Sequence, residues 1–217
     1  MGRCVGAEVL VRWNHPRLGM VEPGDFIPVA EESDLIVQLG DWMLEQACRM
    51  LVRPEFVQQG WRLSVNVSWR QFRQPDVVDK LKRTLAATGA DPRRLTLEVT
   101  ESVVMRDVDE ARERMAELQL LGVEMGLDDF GTGYSSLAYL QRLPFRELKI
   151  DKSFVQDCHT SPGNAAMVEA ILLLARRLRL RVVAEGVETE EQAGTLRAWN
   201  QDVLFQGYHY GRPLPAV

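Results

Sequence analysis

The chain has 217 residues, 46% of them hydrophobic, with 26 Lys+Arg against 31 Asp+Glu and a net charge of −5. That is enough apolar material for one large core or two small ones, and the excess of acid argues against a broad nucleic-acid surface, which needs a positive field. The three cysteines, Cys4, Cys48 and Cys158, are scattered and lack C-x-x-C spacing. This pattern argues against a disulfide framework or a structural zinc site and fits a reducing, cytoplasmic compartment. No apolar run is long enough to span a membrane, and the opening MGRCVGAEVL lacks a signal-peptide pattern.

Read along the chain, β-rich runs alternate with helix-period segments. The first run, 5–13, is followed by a segment from Leu35 to Met50 with Leu35, Ile36, Leu39, Trp42, Met43, Gln46 and Ala47 at helical spacing. A second run, 61–67, precedes a helix expected over 75–89, with Pro75 in its first turn and Gly89 at its end. Runs at 94–99 and 122–129 flank a helix expected over 109–122, and 147–150 precedes one over 164–178. The run 181–186 leads to a helix over 189–199, and the last run is 202–207. Both SWRQ (68–71) and TEEQ (189–192) fit the reciprocal cap in which Ser or Thr accepts from one backbone N–H and Gln reaches back to another.

Strands alternating with helices imply parallel β-α-β units, hence an open doubly wound sheet or a closed β/α barrel. A complete barrel has about eight strands and roughly 250 residues, so a chain with about seven strand candidates is slightly short for one. It is also long for a simple open sheet. The position of the polar residues favours the barrel. Asn66, Glu98, Asp128 with Asp129, Lys149, Glu185 and Gln206 each stand at or near the C-terminal end of a strand run, the end at which a barrel carries its active site. Glu8 belongs with them chemically but stands mid-strand.

Five carboxylates gathered at one mouth (Glu8, Glu98, Asp128, Asp129 and Glu185) would raise one another's pKa values unless cations separate them. All these donors are oxygens, without His or Cys, which favours hard ions such as Mg²⁺ or Mn²⁺ over zinc. Adjacent acids suit a pair of metals about 3.5–4 Å apart, the arrangement of in-line phosphoryl displacement. Weaker motifs fall away. DFG (129–131) has no HRD and no glycine-rich loop before a strand lysine, so it is not a kinase motif. GTG (131–133) has no Gly-Lys-Ser/Thr after it and reads as a tight turn into a helix capped by Ser135 or Ser136. The histidines, His15, His159 and His209, show no ligand spacing and are expected in loops or at the surface.

GAEVLVRW, FIPVAEES, SVNVSWRQF, LEVTES, LDDFGTGYSSLAYL, LKIDKSFV, VVAEGVET and QGYHYGRPLP follow one another in that order. In these the chain resembles the EAL domain of cyclic-di-GMP phosphodiesterases over nearly its whole length, with Glu-Val-Leu where the signature has Glu-Ala-Leu. The resemblance implies an α/β fold, a TIM-type (β/α) barrel, here expected to lack its first N-terminal strand, in a single domain over 1–217 trimmed at both ends. It implies hydrolysis of cyclic-di-GMP to linear pGpG with two Mg²⁺ or Mn²⁺ ions. Glu8, Asn66, Glu98 and Asp128 would hold the first metal, and Asp128, Asp129 and Glu185 the second. Lys149 would hold the attacking water, Gln206 would support the metal and water cluster, and Arg12 would contact a substrate phosphate. Glu101 would brace the loop after Asp129, a segment family members also use in homodimers. Regulatory domains would lie in a longer, even membrane-anchored, parent. The competing reading is a cyclic-di-GMP receptor that binds without cleaving; such receptors typically lose metal ligands, and every ligand residue named above is present.

Overall fold

The computed structural model describes residues 2–101, 107–131 and 137–215. They form two compact units, Met1–Val99 with Glu113–Glu124, and Thr100–Arg112 with Met125–Val217. Each is built from parallel strands and helices.

In the first unit, strands β1 (Gly6–Val9), β4 (Arg62–Asn66) and β5 (Leu95–Thr100) lie side by side in that order, all parallel. Register fixes two faces. Leu63 pairs with Leu95 and Val65 with Leu97, and all four are buried. They share a core with helix α2 (Leu35–Leu51), which buries Ile36, Val37, Met43, Leu44, Ala47, Cys48 and Leu51 and packs on β4. The alternate positions, Glu8, Ser64, Thr96, Asn66 and Glu98, fall on the opposite face, because successive strand side chains point to opposite sides.

The run 5–13 is not one strand. It breaks after Val9, and Trp13–His15 (β2) turns back against Gly19–Val21 (β3) as an antiparallel hairpin. His15 therefore ends a strand and is partly buried; its Nδ1 accepts the backbone N–H groups of Arg17 and Leu18, both at 3.1 Å, and so shapes the turn. Two short helices that periodicity did not reveal, α1 (Pro23–Glu31) and α3 (Pro54–Gln59), each begin with a proline at the position where a missing N–H costs nothing. Arg94 ties this region together. Its guanidinium donates to the carbonyls of Trp61 (2.8 Å from Nε), Phe56 (2.6 Å) and Leu51 (3.3 Å), which belong to the entry to β4, to α3 and to the end of α2.

Helix α4 (Trp69–Phe72) uses only half of the expected reciprocal cap. Ser68 Oγ accepts from Gln71 N (3.2 Å), but the Gln71 side chain turns away and donates to Asp41 Oδ1 (3.2 Å). A buried amide with a partner on α2 gains more from that bond than from a cap already open to water. Pro75 likewise lies before helix α5 (Val77–Thr88), not in its first turn, whereas Gly89 closes that helix at φ +75° as expected.

Helix α6 (Val108–Leu120) supplies residues to both units. In the second unit, β6 (Glu124–Phe130), β7 (Glu147–Ile150), β8 (Arg181–Ala184) and β9 (Leu204–Phe205) are parallel neighbours in that order. Helices α7 (Leu137–Arg142), α8 (Lys152–Val155), α9 (Pro162–Leu178) and α10 (Glu190–Trp199) connect them. Met125, Leu127, Leu148, Ile150, Val182 and Ala184 are buried, and α9 and α10 bury Val168, Ile171, Leu172, Ala175, Ala193 and Leu196. Around α10 both halves of the expected capping box form between Thr189 and Gln192. The last run shrinks from 202–207 to two residues of ladder, because Gln206 onward turns away to meet Val187. The expected helix cap at Ser135 or Ser136 lies outside the described residues.

Gly40 marks how tightly the first unit is packed. A Cβ there would lie 2.1 Å from Gln71 Oε1, on a side chain that is 1% exposed and already bonded to Asp41. Gly40→Ala is expected to lower stability by about 1–3 kcal/mol, as overpacking does. Urea unfolding checks this; an unchanged midpoint would show that Gln71 relocates freely.

Candidate metal centre

Asp128 and Asp129 are adjacent, yet successive residues of a regular strand point to opposite faces. The structure resolves this with a bulge. Leu127 pairs with Leu148 but Phe130 pairs with Ile150, so two residues of β6 stand against one of β7. The surplus residue is Asp129, whose φ is +55°. This left-handed conformation is one that Asp, like Asn and Gly, adopts at modest cost. The slip lets Leu127 and Phe130 both stay buried while the two intervening carboxylates gather on the other side. The signal was in the sequence: buried apolar residues fall at 125, 127 and then 130, a spacing of two followed by three.

The residue opposite the bulge is Lys149. It sits between Leu148 and Ile150 in a fully buried strand, and its side chain is 2% exposed. Its Nζ lies 2.6 Å from Glu185 Oε1 and 3.3 Å from Asp128 Oδ1. Glu185 immediately follows β8, and its N–H donates to Ile150 O (3.1 Å), which fixes it beside β7. Carboxylate oxygens of Asp128, Asp129 and Glu185 all lie within 4.8 Å of one another. Asp128 also accepts the Asp129 N–H at 3.0 Å, locking the two acids in one orientation. Three anionic oxygens at that spacing, without sulfur or nitrogen, fit a hard divalent cation. A second polar pair lies one layer down on the same face, where Glu147 and Arg181 are register partners joined at 2.6 Å. The alternation in ELKI announced it, since Glu147 and Lys149 share a face.

Gln206 follows β9 directly. Its N–H donates to Ala184 O (2.9 Å) and its carbonyl accepts from Val187 N (3.0 Å), so its backbone is held on both sides.

In the first unit, Asn66 Nδ2 donates to Glu8 Oε1 at 2.6 Å. Asn66 and Glu98 are register partners, and Glu98 is buried at 1% exposure. Glu8, Asn66 and Glu98 thus occupy one face of three adjacent strands. Arg12 lies beyond them on the stretch leading into β2, exposed, with Nη1 on Val11 O (2.8 Å) and Nε 3.9 Å from Glu22. Glu101, just after β5, is partly buried; most of the loop it was expected to brace lies outside the described residues. The buried thiol of Cys48, on α2, is pushed up to about 11 by burial and nearby Glu45.

Lys149 is the counterion of this acid cluster. Lys149→Met is expected to cost the metal-free protein about 3 kcal/mol, because removing one partner leaves buried charge uncompensated. Mn²⁺ should recover part of that loss by replacing the missing positive charge. Thermal melts with Mn²⁺ and with chelator check both statements, and a metal-free variant as stable as the parent would contradict them.

Residues 1–213 match the family described as EAL domain. The bifunctional diguanylate cyclase/cyclic di-GMP phosphodiesterase MucR of Pseudomonas aeruginosa is 45% identical over 216 residues, 99% of this chain and 31% of that protein. The cyclic di-GMP phosphodiesterase NbdA of the same organism is 43% identical over 209 residues, 96% of this chain and 27% of that protein. The chain thus spans about a third or less of the length of these relatives. The solved structure of PaMucR phosphodiesterase as a c-di-GMP complex is similar with a TM-score of 0.91 and 44% identity, covering 98% of this chain and 86% of that one. The expected β/α barrel-type fold is therefore the fold of this chain, and the chain belongs to the EAL domain family.

Proposed function

We propose that this chain is a metal-dependent phosphodiesterase that hydrolyses cyclic-di-GMP to linear pGpG. The observation that carries the reading is the meeting of Asp128, Asp129 and Glu185 oxygens around the buried ammonium of Lys149, in a chain whose relatives MucR and NbdA bear the name of that activity. In this reading Asp128, Asp129 and Glu185 ligate a divalent ion, Mg²⁺ or Mn²⁺. Glu8, Asn66 and Glu98, on one face of the first unit's strands, serve as ligands of the same oxygen type for a second ion. Bound there, the metal supplies Lewis-acid charge for phosphoryl oxygens and lowers the pKa of water.

The chain's own residues divide the remaining work. Lys149 donates a hydrogen bond to the attacking water and offsets the negative charge that grows on the phosphate in the transition state. Its burial strengthens that interaction, since field strength rises as water is excluded. Glu185 and Asp128 keep the ammonium in place. Arg12, exposed on its loop, is suited to a substrate phosphate, and Gln206 supports the metal and water cluster. Glu101 steadies the segment after Asp129, and that segment serves a homodimer. The family match spans both compact units, which supports reading them as one domain. The greater length of the relatives supports regulatory domains in a longer parent. Among the described residues no helix is long and apolar enough to cross a membrane. A cytoplasmic compartment suits Cys4, Cys48 and Cys158, none of which is in a disulfide.

A cyclic-di-GMP receptor that does not cleave is less well supported, because every acidic residue proposed as a ligand is present in the sequence. Turnover of cyclic-di-GMP with Mn²⁺ and with chelator separates the two: hydrolysis abolished by chelator is expected, and tight binding without turnover under both conditions would establish the receptor. Under conditions where melts show the variants folded, Lys149→Ala should lower kcat roughly a hundredfold or more with little change in substrate affinity. Asp128→Asn should lose metal affinity and rate together. Normal turnover in Lys149→Ala, or failure through lost binding alone, would remove Lys149 from the mechanism.

A further inference from the structure

Gln206, assigned above to the proposed site, directly follows a strand of only two residues, too short a ladder to fix a side chain by itself. The residues on either side of it are held from the outside by helix α10. Before it, the ring of Phe205 lies under the guanidinium of Arg197, 5.4 Å from Cζ to the ring centre. After it, Tyr210 stacks on the same Phe205 with ring centres 5.7 Å apart and planes 8° from parallel. Arg197 Nη2 donates to the Tyr210 hydroxyl at 3.1 Å. Glu190, in the first turn of α10, takes Arg197 Nη1 at 2.7 Å on one oxygen and meets His209 Nε2 at 3.1 Å with the other. Glu190 is held below the usual carboxylate range, first by the Arg197 hydrogen bond and charge, and also by His209.

The backbone between these holds has no slack. Val187 N donates to Gln206 O and His209 N donates to Val187 O. A Cβ on Gly207 would lie 2.2 Å from that Val187 oxygen, so only glycine allows this approach. The N-terminus of α10 is anchored in turn, because Gln192 accepts the N–H groups of Glu188 and Thr189 (2.7 and 3.0 Å) and donates to Gln156 O (2.9 Å). An unbroken series of contacts therefore leads from a capped helix, through Arg197, to both flanks of Gln206.

We infer that Arg197 is a positioning residue that acts through Phe205 and Tyr210 to set the place of Gln206 at the site; this rests on the proposed phosphodiesterase reading. The Arg197–Glu190 pair is largely exposed, and exposed pairs add little to stability. What the pair supplies is geometry. A planar guanidinium can stack on Phe205 while its separate N–H groups reach Glu190 and Tyr210, a combination an ammonium lacks. Small displacements at a reacting centre are costly in rate even where they are cheap in stability.

The test compares Arg197→Ala and Tyr210→Phe with the parent chain, by hydrogen exchange over residues 204–210 and by steady-state hydrolysis of cyclic-di-GMP with Mn²⁺. Both variants should melt within a few degrees of the parent, and their amides over 204–210 should exchange about tenfold faster. Both should lose roughly fivefold or more in kcat at nearly constant KM. Arg197→Lys should not restore the rate. Unchanged exchange in both variants overturns the inference, as does faster exchange with an unchanged kcat, which would make the contact merely structural. If the parent chain itself fails to hydrolyse cyclic-di-GMP, the phosphodiesterase reading fails, and the exchange measurement still decides whether Arg197 fixes this segment.

Discussion

An ammonium buried among carboxylates is the constraint around which the second unit is arranged. Lys149 has almost no contact with water, and a charge in that position is stable only if its partners are close and held. Glu185 at 2.6 Å and Asp128 at 3.3 Å meet that condition. Each comes from a different strand end, so the ion cluster works only if β6, β7 and β8 keep their register. The apolar pairings Leu127–Leu148 and Ile150–Ala184 enforce that register from the opposite face. The cost of a buried ion cluster is thus carried by the hydrophobic core behind it, and what it gives in return is a preset electrostatic field.

The same tension explains the bulge. A regular β6 would have sent one of the two aspartates into the apolar layer, where an ionised carboxylate is very costly. Inserting one residue with positive φ is far cheaper, and aspartate is among the few side chains that tolerate it. The local irregularity is therefore what allows two acids in a row to serve one centre. Aspartate at 129 supplies both that conformation and a carboxylate oxygen within 4.8 Å of those of Asp128 and Glu185.

Much of this was legible from the sequence because strand ends are chemically loud. Asn66, Glu98, Asp128, Lys149 and Glu185 each interrupt or end an apolar run, and the strands β4, β5 and β7 lie within a residue of where periodicity put them. What escaped was whatever depends on a third dimension. The hairpin at Trp13–Val21 has strands of three residues, too short for an alternation to show. The half-used cap at Ser68 could not be foreseen, since the glutamine's competing partner, Asp41, is thirty residues away in sequence. The contact of Arg197 with Phe205 and Tyr210 was equally hidden, because nothing in an exposed arginine on a helix distinguishes one that stacks from one that waves in solvent.

Arg94 has a wider consequence than its hydrogen bonds to three carbonyls suggest. It collects the carbonyls of Leu51, Phe56 and Trp61, which mark the end of one helix, the middle of the next and the entry to β4. None of these segments can fray alone without loosening the grip on the others. The stretch from α2 to β4 is therefore joined at one point, a single guanidinium that bonds all three segments at once. Since β4 begins beside Trp61 and carries Asn66 at its far end, the same guanidinium ties α2 and α3 to the strand that bears part of the first unit's polar face.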